Sequence, residues 1–191
     1  MDTETLNIDL FKDSVSTIKK ASMDDGTGEK RYMTDSQMQV IYFDEVKGKY
    51  VRALDVSETP CSVDALHIQN GIAVFIEFKN GKMTTEKIYN IHYKIYDSLL
   101  IFGDIMKQNV SSFRKNLDFI LVYNEAKNPD DPNSRQKSSK AEIADRISQK
   151  GKTRHIRFNL ERFQNLYFRN VYTYTEREFQ EKFLRKLENA I

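Results

Sequence analysis

The sequence predicts an α/β domain with a mixed central β-sheet of about four core strands flanked by helices. Three observations predict it: a hairpin signal at Asn70-Gly71, a continuous apolar run from Leu117 to Tyr123, and apolar residues recurring every three or four positions from Ile88 to Met106. They describe a strand pair, a central strand buried on both faces, and between them a helix that packs on the sheet. At 191 residues the chain is long enough for one domain around one large core. The core is expected over about residues 35 to 125, followed by a basic loop over about 125 to 157 and a closing strand and helix over about 165 to 190.

Taken in order, Leu6, Leu10, Phe11, Val15 and Ile18 recur at helical spacing and predict an amphipathic helix over about residues 5 to 21, ended by Asp24-Asp25-Gly26-Thr27-Gly28. From Gln39 to Val56 the chain is rich in Val, Ile, Tyr and Phe and is interrupted at Lys47-Gly48-Lys49, which reads as two strands and a turn. Val63–Gln69 and Ile72–Lys79 then flank Asn70-Gly71, two residues that tolerate positive φ and so favour a tight hairpin. Thr84 or Thr85 caps the long helix, whose inward stripe is Ile88, Ile91, Ile95, Leu99, Phe102 and Met106. Two prolines and several turn formers make residues 128 to 134 a loop, and Ala141 to Gln149 suits a short helix. Tyr167 to Tyr174 reads as a strand, and Thr175-Glu176-Arg177-Glu178 as a capping box opening a helix with Phe179, Phe183, Leu184 and Leu187 on one face.

Composition narrows the chemistry. Charged residues are 30% and apolar ones 39% of the chain, which places it with globular rather than disordered proteins. No stretch approaches the ~20 apolar residues of a membrane span, and Met1-Asp2-Thr3-Glu4-Thr5 lacks the basic and apolar regions of a signal peptide, so no membrane and a cytoplasmic location are expected. Cys61 is the single cysteine, which excludes an internal disulfide and a cysteine-rich zinc site. Any metal must be held mainly by carboxylates.

The hairpin supplies such carboxylates. If Asn70 and Gly71 are the two turn residues, Gln69 opposes Ile72 and, counting outward, Asp64 opposes Glu77. Directly opposed side chains have Cβ atoms roughly 5 Å apart, where like charges repel. Both acids also continue apolar faces, with Leu66 and Ile68 beside Asp64 and with Ala73 and Phe75 beside Glu77. Burial raises carboxylate pKa values and penalises adjacent anions, whereas a divalent cation keeps both ionised. Oxygen ligands favour Mg²⁺, Mn²⁺ or Ca²⁺. Lys79, two residues past Glu77, shares its face.

Ser62-Val63-Asp64 and Ile76-Glu77-Phe78-Lys79 resemble the signature of the PD-(D/E)XK nuclease superfamily, whose acid near a strand end is followed on the neighbouring strand by an acid, any residue and lysine. Val63 stands where the family name has proline. The resemblance covers about residues 60 to 125 and implies a restriction-endonuclease-like core with a C-terminal strand-helix extension. It further implies that Asp64, Glu77 and the backbone carbonyl of Phe78 hold Mg²⁺, or Mn²⁺, while Lys79 orients the attacking water and stabilises charge on the phosphate. Many members use another acid from an N-terminal helix. Here Asp9, Asp13, Asp24, Asp25 and Glu29 all remain open for that role.

Arg135 to Arg157 contains eight basic residues against two acids. Arg135, Lys137, Lys140, Lys150, Lys152, Arg154 and Arg157 are therefore candidate contacts to a nucleic-acid backbone, the competing reading being a solvated loop and helix face. Lys87 and Lys94, seven residues apart on one helix face, could reach a phosphate near the metal, or simply face solvent. Tyr167, Phe168, Tyr172 and Tyr174 suit core packing better than base stacking. His67 alternates away from Asp64, and Cys61 reads as a buried thiol. The expected function is a Mg²⁺-dependent endonuclease or exonuclease acting on DNA in preference to RNA. The alternatives are a non-catalytic nuclease-fold module binding nucleic acid or protein, and a structural subunit. Small size and the lack of a DNA-reading motif imply narrow specificity or reliance on a homodimer or partner protein.

Overall fold

The computed structural model describes residues 10–24, 30–129 and 156–188. Six strands form one mixed sheet: β1 (Val15–Thr17), β4 (Gln39–Tyr42), β5 (Ala65–Gln69), β6 (Ile72–Lys79), β7 (Leu117–Tyr123) and β8 (Asn170–Thr175), hydrogen-bonded in that spatial order. Two further strands, β2 (Met23–Asp24) and β3 (Arg31–Tyr32), make a separate antiparallel pair. Pairing is antiparallel from β1 through β6 and parallel from β6 through β8. The sheet thus has six strands rather than about four: the expected closing strand joins it as β8, and Val15–Thr17, read as helix in the sequence, is added at the other edge by pairing with β4.

The β5–β6 hairpin forms in the register the turn dictates, Gln69 opposite Ile72 and Ala65 opposite Ile76. Both turn residues take positive φ, +52° at Asn70 and +76° at Gly71. A Cβ at position 71 would meet nothing within 4 Å, so Gly71→Ala is strained by its backbone alone. About 1 kcal/mol of destabilisation is expected in urea denaturation.

Residues 10–12 are helical, but the expected helix over 5 to 21 is not continuous. The Ser14 hydroxyl donates to the Leu10 carbonyl, the Tyr42 amide donates to the Ser14 carbonyl, and Val15 to Thr17 pair with β4 as β1. A short helix, α1 (Ile18–Ala21), follows. Helical periodicity is a weak prior that a partner strand overrides. The hairpin expected over 39 to 56 is also corrected: β4 runs directly into α2 (Phe43–Ala53), and Gly48 lies mid-helix. Phe43 and Val46 are fully buried, Tyr50 packs on the same core, and Asp44 and Glu45 complement the helix N-terminus.

The long helix α3 (Thr85–Met106) forms as expected, its Thr84 cap accepting the Lys87 amide. An additional helix, α4 (Val110–Asn116), is capped by Asn109 and leads into β7, every residue of which is buried. The closing helix begins at the capping box of Thr175 and Glu178 and runs as Glu176–Phe179, a π-helical turn Gln180–Leu184, and Arg185–Glu188. The loop over 128 to 134 lies outside the described residues from position 130 on, as does the helix expected over Ala141 to Gln149.

The two sheet faces bury two cores. Leu66, Phe75, Phe119 and Leu121 meet α2, α3 and α4 on one; Ile76, Phe78, Ile120 and Val122 meet Ile18, Phe179 and Leu184 on the other. Among the described residues no helix is long and apolar enough to cross a membrane.

Candidate metal centre

Asp64, Glu77 and Lys79 do converge, and Lys94 joins them from α3. Asp64 sits just before β5, one residue beyond the last paired position Ala65, and its Oδ2 accepts the Phe78 amide at 2.7 Å. Glu77 follows Phe75 on the face covered by α3 and is fully buried. Lys79, the last residue of β6, places Nζ 2.6 Å from Glu77 Oε1. Lys94 Nζ bridges the two acids, 3.0 Å from Asp64 Oδ1 and 2.7 Å from Glu77 Oε1. Two carboxylates therefore face two ammonium groups.

The acid-bearing segment is pinned residue by residue. The Cys61 amide donates to Asp97 Oδ2 at 2.8 Å, the Ser62 hydroxyl to Asp44, the Val63 amide to Ser98 Oγ at 2.9 Å, and the Phe43 amide to the Asp64 carbonyl at 3.2 Å. Residues of α2 and α3 thus fix where Asp64 points. Such support limits the motion of a site built outside regular structure.

Electrostatics follow from burial. Desolvation and the neighbouring Glu77 charge push the Asp64 carboxyl up to about 7, against the opposing pull of Lys94, Lys79 and the Phe78 amide. Burial works against the Lys94 ammonium too, but the charges of Glu77 and Asp64 and their hydrogen bonds outweigh it and hold the pKa above the ordinary lysine range. Asp44, half-buried nearby, pays for desolvation yet stays below the usual carboxylate range through Lys47, Ser62 and Lys94.

Beside these groups a cleft of about 580 Å³ opens at the C-terminal end of β6, lined by Asp64, Phe78, Lys79, Asn80 and Gly81, by Glu86, Lys87 and Asn90 of α3, and by Asp24. Lys87 folds over Gly81, its Nζ 2.5 Å from where a Cβ would stand, so a side chain there would push that flexible ammonium aside. Of the N-terminal acids left open, Asp24 lines the cleft and accepts Asn80 Nδ2 at 3.0 Å, while Asp13 is exposed beside Lys49. Asp9, Asp25 and Glu29 lie outside the described residues.

The donor set fits an oxygen-preferring ion. Glu77 Oε2 is buried and has no hydrogen-bond partner, an unmet acceptor beside a second carboxylate. Among the described residues no group of three or more His, Cys, Asp or Glu converges. A two-carboxylate site suits Mg²⁺, which keeps several of its waters.

The remaining candidates divide. Lys94 does not face solvent as a free charge; it shares a face with Ile91 and Ser98 at spacings of three and four, a polar position flanked by buried ones that was the available sequence signal. Arg157 turns inward, donating to Tyr123 Oη, Asn128 O and Pro129 O and lying over the Tyr123 and Phe158 rings. Arg135, Lys137, Lys140, Lys150, Lys152 and Arg154 lie outside the described residues. Phe168 and Tyr174 are buried in the cores and Tyr172 stacks on Tyr174; the strand expected from Tyr167 begins only at Asn170. His67 packs edge-on against Phe183 and His92 against Phe163, both away from the acids. No family model, curated protein or solved structure matches the chain.

Proposed function

We propose that the chain is a metal-dependent nuclease that hydrolyses phosphodiester bonds, of DNA in preference to RNA. One observation carries this function: two carboxylates from a hairpin meet on one focus beside an open cleft, with a buried acceptor oxygen of Glu77 left unpaired. The order β5, β6, α3, β7 supports the resemblance to PD-(D/E)XK nucleases and their restriction-endonuclease-like core.

In this function Asp64 and Glu77, with the Phe78 carbonyl, hold Mg²⁺ or Mn²⁺. When bound, the ion supplies charge that polarises a phosphoryl oxygen and makes a coordinated water more acidic. Lys79, fixed against Glu77, orients the attacking water and offsets charge building on the phosphate. Lys87 on the cleft wall meets a neighbouring phosphate, and the basic residues between Arg135 and Arg154 add backbone contacts through counterion release.

Purified protein with Mg²⁺ or Mn²⁺ is expected to cut DNA, and Lys79→Ala to slow that cleavage by about 10²–10³-fold, the scale of losing one charge-stabilising donor. Unchanged cleavage in this variant would refute the role of Lys79.

The compensation of two acids by two lysines favours a second reading, a nuclease fold that binds nucleic acid or protein without cutting. It predicts a salt-sensitive gel shift with no cleavage under any metal.

A further inference from the structure

We propose that Lys94 is a tethered cation that holds the Asp64–Glu77 pair in the metal-free protein and must leave it when the divalent ion binds, freeing its ammonium for the substrate phosphate. This rests on the nuclease reading of the same site and adds a positioning residue that the hairpin motif does not contain.

The geometry is that of a stand-in ion. Lys94 Nζ touches one oxygen of each acid, at 3.0 and 2.7 Å, whereas Lys79 touches Glu77 alone. Glu77 Oε1 accepts a hydrogen bond from Lys94 and is ion-paired with Lys79, so it lies against both ammonium groups, while Oε2 has no partner. A divalent ion sitting between these carboxylates would therefore compete with Lys94 for the same oxygens and be repelled by its charge. Lys79 lies on the same strand as Glu77 and pairs with that acid alone, so its departure would not open the gap between the acids.

Lys94 has somewhere to go. Its head is carried on a flexible four-carbon stem, and its side chain is 18% exposed although both partners are more buried. One turn earlier on α3, Asn90 lines the cleft, with Lys87 a further turn towards the helix start. An ammonium released from the acids thus moves towards the wall along which a phosphate would lie. Metal and anionic substrate should bind cooperatively, each favouring the state in which Lys94 has left the acids.

Calorimetric Mn²⁺ titration of the wild type, Lys94→Met and Lys127→Met tests this, Lys127 being a cleft lysine whose Nζ points to Asn80 and not to the acids. Lys94→Met is expected to bind Mn²⁺ at least tenfold more tightly than the wild type, and Lys127→Met within twofold of it. Equal or weaker binding by Lys94→Met, with the wild type binding Mn²⁺, overturns the displacement while leaving the nuclease reading standing. Absence of Mn²⁺ binding in all three proteins overturns both. Should Lys94→Met fail to fold in chelator, recovery of its circular dichroism on adding Mn²⁺ supports the exchange of one cation for another, and no recovery overturns it.

Discussion

Glu77→Ala is expected to lower cleavage on the order of 10³-fold, the equivalent of about 4 kcal/mol of transition-state stabilisation. It is also expected to destabilise the metal-free fold. The side chain is fully buried and pairs with both Lys79 and Lys94, so its loss leaves two close ammonium groups without their shared anion. Breaking a buried pair costs about 3–5 kcal/mol, and the partial exposure of both lysines puts the expectation at the lower end. Glu77→Gln separates the two effects because it keeps the shape and one acceptor. Its melting temperature should lie closer to the wild type, yet Mn²⁺ should no longer raise it, as binding to the folded state alone would. Cleavage retained by a folded Glu77→Gln would remove Glu77 from the metal site.

Phe75→Ala should produce the largest loss of stability among core substitutions, about 3–5 kcal/mol. Phe75 is fully buried two residues before Glu77, and its ring lies 5.2 Å from Phe43, 5.4 Å from Phe102 and 6.3 Å from Phe168. It joins α2, α3 and the segment before β8 to the sheet, so truncation leaves a void that three rings must collapse into. For a chain of this size that corresponds to a fall in melting temperature of roughly 10 °C, measurable by calorimetry. Phe43 also begins the helix that carries Asp44 and donates its amide to Asp64, so the acid segment should loosen with the core. Cleavage at a temperature well below the melting point should remain near wild type. That outcome distinguishes a packing residue from Glu77, whose loss no cooling repairs.

Features set by local chemistry were legible. Asn70-Gly71 specifies its own turn because both residues accept positive φ, and the turn then determines which residues face each other. The α3 stripe from Ile91 to Phe102, the buried run of β7 and the capping box at Thr175 are likewise written in adjacent residues, whereas Met106 at the end of the expected stripe is exposed. The encounter of Asp64, Glu77 and Lys79 followed from that register, with Asp64 displaced just outside the strand. Val15 to Thr17 and Phe43 to Ala53 depart from their local pattern for the opposite reason. Val15 to Thr17 become a strand only because β4 lies alongside, and Phe43 to Ala53 form a helix because Phe43 and Val46 find the α3-facing core.

The amino-acid sequence by itself determined an α/β chain with two carboxylates and a lysine on one hairpin, since turn geometry and strand alternation act over a few residues and need no partner. Only the tertiary structure decided that the sheet has six strands, that Asp24 looks into the same cleft, and that Lys94 spans the two acids. Those outcomes depend on how a helix is rotated against a sheet and on which distant strand supplies hydrogen bonds. The energies involved belong to contacts between residues far apart in the chain, and a local pattern such as polar Lys94 between buried Ile91 and Ser98 marks the position without naming its partners.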